Sequence, residues 1–449
     1  MRDSPLAVRM SSFLYRLERW VRTRVRFAYY HAVHRLPATA IRTWQDSRLQ
    51  DLVRHAVRNV PIWATIFEGA GLRARSFRGL IDLPKIPATG KETFIGRIAE
   101  EYIDSSRNIF TRWKTTSGTS GKPFTFLPGR NASSGHFTDF ACYRFLVWNG
   151  LPLRKIATTK VARIKIRAIS STYRAFIPVS DFQSDPEKVY RQLVEYGPTI
   201  LDTYTSILLD LAKMAGSGTL PLLRVQYAVS FGEMLSPASR HFIEQNLGCR
   251  VYDRYGTEEM GVIGLECSQH NGFHIHSESV VIEVTDDSFV PLPPGSYGRI
   301  LATDLLNYNM PLIRYDTGDH GILDTTPCAC GLETPRIWIE GRYSASLSFA
   351  SGRRIHHLEF DGALDGFMNA ILQYQVAKKS EEEVEIRIVP DATFESGMRD
   401  KIKESIRELV GETVAVRILP VTSISRMPRG KSQIVVDETA TEPTAPLSS

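Results

Sequence analysis

The spacing of apolar and polar positions changes near residue 110. Before this point, aromatic and aliphatic side chains recur at helical spacing over 12–35, and a second helix is predicted over 44–57, ending before Pro61. Residues 75–100 are predicted to form a connecting segment with one short helix, because prolines interrupt it. The first part of the chain is therefore predicted to be helical.

After this point, short apolar runs alternate with amphipathic stretches, a pattern typical of a layered, mostly parallel sheet. Ser184-Asp185-Pro186 is a helix start signal, because Asp can cap the first turn and Pro suits the first helical position. The predicted helices cover 131–149, 186–196, a stretch ending at Met214, and 236–247; the predicted strands include 124–126, 225–231 and one that begins at Val251.

Beyond about residue 275 the pattern becomes strand-rich, and a separate small module follows Gly341-Arg342. Strands are predicted at 280–284, 298–303, 321–323, 384–389 and 413–419, and an amphipathic helix at 396–410. Residues 438–449 consist mainly of Thr, Glu, Pro, Ala and Ser and are predicted to be disordered.

These patterns predict an α/β protein of two domains. A large N-terminal domain of layered sheets and helices is expected at 1–342, with an arginine-rich helical lead-in at 1–60. A small, mobile α+β domain is expected at 343–437. A chain of 449 residues, 43% of them hydrophobic, is long enough to build both cores.

The composition argues against a membrane-spanning protein and against a secreted, disulfide-stabilised protein. No apolar run approaches the roughly 18–20 residues that cross a bilayer, and no signal-peptide pattern begins the chain, so a cytoplasmic protein is expected. Five cysteines indicate a reducing compartment rather than a disulfide scaffold, and clustered cysteines favour a metal site.

The net charge of +6 is concentrated at the N-terminus. Residues 1–60 contain twelve arginines, no lysine and four acidic residues. We interpret this stretch as a solvated helix face, and peripheral membrane contact is the alternative. Nucleic acid is not an expected partner, although a nucleic-acid-binding protein with a degenerate nucleotide site is the alternative from another function class.

Four segments carry candidate chemistry. Residues 115–123 (Thr-Thr-Ser-Gly-Thr-Ser-Gly-Lys-Pro) can surround phosphate oxygens with backbone amides and add one positive charge, although they do not have the P-loop spacing. Residues 253–261 contain adjacent glutamates at the end of a predicted strand, where α/β enzymes bind ligands and where a carboxylate can hold Mg²⁺. Residues 314–319 place a carboxylate after a glycine turn, which suits ribose hydroxyls. Residues 426–431 carry a lysine on a glycine-containing loop. Taken singly, these segments are also typical of flexible loops, acidic turns and basic tails.

In this order, the four segments resemble the adenylate-forming superfamily, and particularly its phenylacetate–CoA ligase-like branch. The resemblance spans roughly residues 50–435. Further residues that match the family pattern are Asn59-Val60-Pro61, Leu83-Pro84 with Lys91, Ser230-Phe231-Gly232-Glu233, Glu266-Cys267 with Gly272-Phe273-His274, and Cys328-Ala329-Cys330-Gly331.

The resemblance implies roles for individual residues. Glu259 would bind Mg²⁺, Asp319 the ribose, and Lys431 the substrate carboxylate and the α-phosphate during adenylation. The remaining implied nucleotide contacts are Thr116, Ser117, Gly118, Thr119, Ser120, Gly121 and Lys122 at the β- and γ-phosphates, Gly232 and Glu233 beside the adenine, Tyr255 against its face with Asp253 and Gly256 in the same segment, and Arg342 at the domain junction.

The sequence departs from the family in two places. The family usually has Thr or Ser before the Mg²⁺-binding glutamate, but this chain has Glu258, so Glu258 or Glu259 could be the ligand. Relatives also carry aspartates soon after the junction Gly-Arg, whereas Tyr343, Ser344 and Ala345 follow here. The hinge that reorients the small domain is therefore expected to differ.

A zinc site is a further hypothesis. Cys267, Cys328 and Cys330 with one histidine would provide the four ligands of a closed, structural Zn²⁺ site. His274 matches the family register, and His270 is the rival. Reduced, partly buried cysteines without metal are the alternative.

The implied reaction is ATP-dependent activation of a small-molecule carboxylic acid as an acyl-adenylate, followed by transfer to CoA. An amine, a carrier protein or a sugar is the alternative acceptor, and transfer of AMP onto a coenzyme is a third outcome. ATP and Mg²⁺ are the implied cofactors, with CoA and a structural Zn²⁺ as further candidates. A homodimer is one expected assembly. The sequence does not identify the acid.

Overall fold

A computed structural model describes residues 25, 32, 36–106, 113–115, 124–128, 159–165, 174–342, 346–349, 354–425 and 434–439. Nearly all of the predicted helix at 12–35, the helix at 131–149, the phosphate loop at 116–122 and Lys431 lie outside these residues. Within the described part of the chain, no helix is long and apolar enough to cross a membrane.

The helices agree closely with the sequence pattern. The helix predicted at 186–196 begins at Pro186, because the Asp185 side chain accepts a hydrogen bond from the Lys188 amide (2.9 Å), and it ends at the left-handed Gly197. The described α-helices are α1 (Ala38–Asn59), α2 (Pro61–Gly69), α3 (Lys91–Phe94), α4 (Ala99–Tyr102), α5 (Val179–Ser184), α6 (Pro186–Tyr196), α7 (Thr205–Gly216), α8 (Pro237–Leu247), α9 (His357–Leu364) and α10 (Ser396–Val410).

Each predicted strand overlaps an observed strand, and the structure contains further strands that the sequence pattern did not predict. The described strands are β1 (Lys114–Thr115), β2 (Thr125–Phe126), β3 (Val161–Lys165), β4 (Arg174–Pro178), β5 (Ile200–Thr203), β6 (Tyr227–Phe231), β7 (Arg250–Thr257), β8 (Gly261–Glu266), β9 (Phe273–Ile275), β10 (Val280–Thr285), β11 (Tyr297–Asp304), β12 (Tyr315–Asp324), β13 (Arg336–Arg342), β14 (Ser346–Ser348), β15 (Arg354–His356), β16 (Ile371–Ser380), β17 (Glu383–Pro390), β18 (Ala415–Pro420) and β19 (Val435–Asp437).

The chain divides into two compact units. Unit 1 comprises Met1–Thr158 and Arg254–Ile339, and unit 2 comprises Thr159–Asp253 and Glu340–Ser449. The chain passes from one unit to the other after residue 158, within β7 and within β13. The two-domain division at residue 342 remains a prediction.

Unit 1 contains antiparallel strands in the order β10-β11-β12-β13-β9-β8-β7. Its apolar core joins α1 and α2, including the fully buried Trp63, to the side chains of these strands. The Trp63 indole also donates a hydrogen bond to the Pro311 carbonyl (3.1 Å), so the helical beginning of the chain is anchored to the strand-rich part of the same unit.

Unit 2 contains the parallel strands that the alternating pattern predicted. They lie in the order β6-β5-β3-β4, with α5 to α8 supplying the apolar side chains of the core. The same unit contains the α+β module, whose strands lie in the order β18-β17-β16-β19 and pack against α10. The expectation of parallel strands is therefore right for this region, whereas neighbouring strands of unit 1 pair in the antiparallel direction.

The glycine turn predicted before Asp319 lies inside a strand. Residues 315–324 form one continuous strand, β12, with a bulge opposite Ile300. Gly318 has a left-handed φ of 75°, and its amide donates a hydrogen bond to the Asp316 side chain (2.9 Å). Glycine permits this backbone conformation, so the strand bends without ending.

Candidate active site

The β7–β8 hairpin of unit 1 carries the adjacent glutamates. Tyr255 on β7 is the pairing partner of Gly264 on β8. A side chain at Gly256 would place a Cβ atom 2.2 Å from the Gly261 carbonyl oxygen, so the tight hairpin requires glycine there. Tyr255 and Glu259, which are four residues apart in the sequence, therefore lie on the same tight hairpin.

The two adjacent glutamates occupy different environments. Glu259 is buried, with 6% of its surface exposed, and its Oε1 accepts a hydrogen bond from the Tyr315 hydroxyl (3.3 Å). The side chain of Glu258 is 58% exposed and lies 3.8 Å from Lys114 Nζ on β1. Only Glu259 is therefore held by a buried neutral partner.

Asp319 is oriented in a similar way. It is buried, and its Oδ2 accepts a hydrogen bond from the Tyr255 hydroxyl at 2.8 Å. The Asp319 amide donates to Thr317 Oγ1 (3.2 Å), which belongs to the bulge of β12. The bulge therefore directs the carboxylate toward the β7–β8 hairpin.

Glu259, Asp319, Tyr255 and Tyr315 together form what we call the carboxylate centre. The hairpin supplies one tyrosine and one acid, β12 supplies the other pair, and each tyrosine donates to the acid of the opposite element. Burial raises the pKa of Tyr315 above its ordinary value, and the negative charge of Glu259 raises it further. Tyr315 thus remains a neutral donor at all physiological pH values.

Arg314, although part of a candidate motif, has a structural role. It is buried with a φ of 48°, and its guanidinium pairs with Glu283 (3.1 Å) and donates to the carbonyls of Pro84, Ile86 and Phe289. This set of bonds ties the connecting segment of the chain to the start of β12.

Four other predicted nucleotide contacts lie in unit 2. The Glu233 carboxylate accepts hydrogen bonds from the Ser206 amide (2.7 Å) and hydroxyl (3.1 Å), so it caps the first turn of α7. Gly232, which precedes it, has a left-handed φ of 73°. Asp253 is half-buried in β7, and Arg342 is the last residue of β13.

The four predicted metal ligands come together in unit 1. The ligand atoms of Cys267, His274, Cys328 and Cys330, which we call the thiol cluster, all lie within 4.8 Å of one another. Cys267 Sγ lies 3.8 Å from Cys328 Sγ, and Cys330 Sγ lies 3.2 Å from His274 Nε2. Burial raises the pKa of Cys267 to about 12, so this thiol is protonated at neutral pH in the absence of a metal.

The surroundings of the two histidines distinguish them. His274 is fully buried, and its Nδ1 lies 3.0 Å from Thr334 Oγ1 and 3.2 Å from the Thr334 carbonyl oxygen. With Nδ1 donating to Thr334, the lone pair of Nε2 faces the thiols. His270 instead pairs with Glu266 through Nδ1 at 3.1 Å.

Sequence reasoning assigned no role to two residues of these sites. Tyr315 holds Glu259 across 56 positions of the chain, and Thr334 orients His274 across 60. No spacing signal indicates such partners, because the order of strands in the sheet determines them.

Comparisons with known proteins agree with the motifs. Residues 347–438 match the family model described as the CapK C-terminal domain. A phenylacetate–coenzyme A ligase of Thermus thermophilus is 27% identical over 91% of this chain and 99% of its own length. The phenylacetate–coenzyme A ligase of Escherichia coli is 28% identical over 61% of this chain and 65% of its own length.

A solved structure shares the fold. The crystal structure of a 2-hydroxyisobutyryl-CoA ligase in the postadenylation state superposes with a TM-score of 0.71 at 19% identity, covering 90% of this chain and 91% of the other. The likeness to phenylacetate–CoA ligases that the four segments predicted is thus confirmed. By sequence this chain is similar to phenylacetate–CoA ligases, and its fold is that of the 2-hydroxyisobutyryl-CoA ligase.

Proposed function

We propose that this protein is an ATP-dependent ligase that activates a carboxylic acid as an acyl-adenylate and transfers the acyl group to CoA. A carboxylate oxygen attacks the α-phosphorus of ATP, the bond to the β-phosphate oxygen breaks, and pyrophosphate leaves. The CoA thiolate then attacks the acyl carbon, the bond to AMP breaks, and AMP leaves. The observation that carries the proposal is the carboxylate centre, in a chain similar to a phenylacetate–CoA ligase over nearly its whole length.

Glu259 is the better of the two candidates for the Mg²⁺ ligand. Mg²⁺ prefers carboxylate oxygens in a strict geometry, and Glu259 is an oxygen ligand whose orientation is fixed by burial and by Tyr315. Mg²⁺ would neutralise charge that develops on the phosphates. Glu258 is more exposed and faces Lys114, which lies two residues before the phosphate loop, so its charge is partly neutralised.

Asp319 would accept hydrogen bonds from the ribose hydroxyls. Tyr255 donates to one of its oxygens, and a carboxylate has about four acceptor positions in all. The phosphate loop at 116–122 and Lys431 complete the site by resemblance. Lys431 would stabilise charge on the α-phosphate without transferring a proton, because the substrate carboxylate is already ionised.

We further propose that the thiol cluster binds a structural Zn²⁺ ion. Zinc bonds of about 2.3 Å to sulfur in a tetrahedron place two sulfurs about 3.8 Å apart. The separation of Cys267 and Cys328 fits this value, and His274 has the outer hydrogen-bond partner typical of a zinc ligand. The four donor atoms face one another, so such a site would be closed to substrate and would support the strands.

The test is ATP–pyrophosphate exchange with aryl, fatty and amino acids, first without an acceptor. We expect exchange with one class of acid and, when CoA is added, a thioester of that acid detected by mass spectrometry. Exchange without thioester formation would replace CoA by an amine, carrier-protein or sugar acceptor. No exchange with any acid, despite Mg²⁺-dependent ATP binding, would overturn the proposed activity.

A further inference from the structure

Tyr315 links β12 to the hairpin that carries Glu259. It is the first residue of β12, four positions before Asp319, and its hydroxyl donates to Glu259. The two oxygen atoms of this hydrogen bond lie 3.3 Å apart.

The ring of Tyr315 is held by stacked aromatic side chains. It stacks on Phe124 with ring centroids 6.4 Å apart and an angle of 24° between the planes. Phe124 stacks in turn on Phe94 and Phe126, and all four side chains are buried. In the sequence, Phe124 lies two residues after Lys122.

The backbone of Tyr315 is fixed on both sides. Thr89 donates its amide to the Arg314 carbonyl (2.9 Å) and accepts from the Asp316 amide (2.7 Å). The Thr89 hydroxyl donates to the Ile313 carbonyl (3.0 Å). Tyr315 therefore can neither shift along its strand nor turn its ring without disrupting buried contacts.

We infer that Tyr315 is a positioning residue, which holds Glu259 in the orientation that binds the metal of Mg·ATP. This inference rests on the proposed function. An uncharged donor suits the role, because it orients the carboxylate while leaving its negative charge to attract the cation. A lysine or arginine in the same place would compete with the metal for that charge.

The experiment measures binding rather than turnover. Affinities for ATP with and without Mg²⁺, and for AMP without metal, are determined by titration calorimetry for the wild type, Tyr315→Phe and Tyr190→Phe. Tyr190 is the matched control, because it is equally buried but its hydroxyl donates to the Pro221 carbonyl in unit 2. We expect Tyr315→Phe to reduce the Mg²⁺-dependent gain in ATP affinity roughly three- to tenfold, in line with the net contribution of one ordinary hydrogen bond, and to leave AMP affinity within about twofold. Tyr190→Phe should change neither quantity.

A double-mutant cycle with Glu259→Gln tests whether Tyr315 acts through Glu259. We expect Tyr315→Phe to have no further effect on Mg²⁺-dependent binding once Glu259 is replaced. Additive effects, or an unchanged Mg²⁺ dependence in Tyr315→Phe, would overturn the inference while leaving the proposed function intact. Absence of Mg²⁺-dependent ATP binding in the wild type would instead count against the proposed function.

A second variant covers the case in which Tyr315→Phe does not fold. Phe124→Leu keeps the hydroxyl but loosens the stack that fixes the ring, so a smaller loss of the same Mg²⁺-dependent gain is expected. If Phe124→Leu lowers AMP affinity as much as Mg·ATP affinity, the stack supports the whole site rather than Glu259, and the inference is wrong.

Discussion

The carboxylate centre and the thiol cluster lie among the same antiparallel strands of unit 1, but their polar groups are held in different ways. In the carboxylate centre, each of the two acids accepts a hydrogen bond from a neutral tyrosine hydroxyl. In the thiol cluster, four donor atoms converge on one another. The first arrangement orients acidic oxygens one by one, whereas the second would be complete once a single ion is bound.

The two sites are also connected through the sheet. Tyr255 pairs with Gly264, and Gly264 pairs with Ile275, which follows His274. A metal in the thiol cluster would hold β9 against the segment that carries Cys328 and Cys330. This would in turn stiffen the hairpin that presents Tyr255 and Glu259. Four predictions test whether the carboxylate centre takes part in the reaction and the thiol cluster supports the fold. They are given in order of decreasing expected effect.

Replacement of the buried glutamate should have the largest effect. Glu259→Gln removes the proposed Mg²⁺ ligand and should lower the rate of ATP–pyrophosphate exchange about a hundredfold or more, because a bound metal supplies several kcal/mol of charge stabilisation. The adjacent Glu258→Gln is the control and should stay within about threefold of the wild type. If Glu258→Gln is the more damaging change, the assignment of the two acids must be reversed.

Loss of one thiol should affect stability more than chemistry. Cys328→Ser should reduce bound zinc, measured by elemental mass spectrometry, from about one ion per chain to nearly none. A loss of about 2 kcal/mol would lower the unfolding temperature by roughly 4–8 °C in a domain of this size. Cys249→Ser, at a cysteine outside the cluster, should leave the zinc content unchanged. A wild-type protein that contains no zinc, and whose unfolding temperature does not change with added zinc, would contradict the proposed site.

Removal of one tyrosine hydroxyl should weaken nucleotide binding moderately. Tyr255→Phe keeps the ring for the adenine but removes the hydroxyl that donates to Asp319. This loss should cost about 1–2 kcal/mol of binding free energy. The dissociation constant for ATP should rise roughly five- to thirtyfold, measured by calorimetry. Tyr102→Phe, which alters a tyrosine packed against Phe94 and Trp113, should have little effect. Equal effects of the two variants would indicate general loosening of unit 1.

A third buried carboxyl group provides the smallest effect when it is measured over a single pH unit, and the effect is visible only as a pH dependence. Burial raises the pKa of Asp304 to about 7, although hydrogen bonds from backbone amides partly offset this rise. Between about pH 4 and 7 the folded chain therefore binds a proton that the unfolded chain does not. The free energy of unfolding should fall as pH rises through this window, by up to about 1.4 kcal/mol per unit.

Asp304→Asn should remove that slope in urea unfolding curves recorded at pH 5, 6 and 7. Asp51→Asn, at an exposed position, should leave it in place. If the slope persists in Asp304→Asn, another group takes up the proton.

Much of the fold could be predicted because its signals are local. The bounds of α6 and α10 match the predicted ranges, since capping residues and apolar periodicity lie within the helices themselves. The sequence does not predict the bulge around Gly318, because a glycine two residues after an aspartate is equally typical of a turn. Only pairing with β11 shows that the strand continues through it.

The sequence alone determined the chemistry that this protein carries: the adjacent glutamates, the aspartate of β12, the three clustered cysteines and the order of the four segments. Residue type and spacing are sufficient for these, because motif residues lie close together in the chain. The tertiary structure decided which acid is buried, which histidine joins the thiols, and which tyrosine orients each carboxylate. These outcomes depend on contacts between residues some 56 to 64 positions apart, and strand order and burial determine such contacts rather than any local pattern.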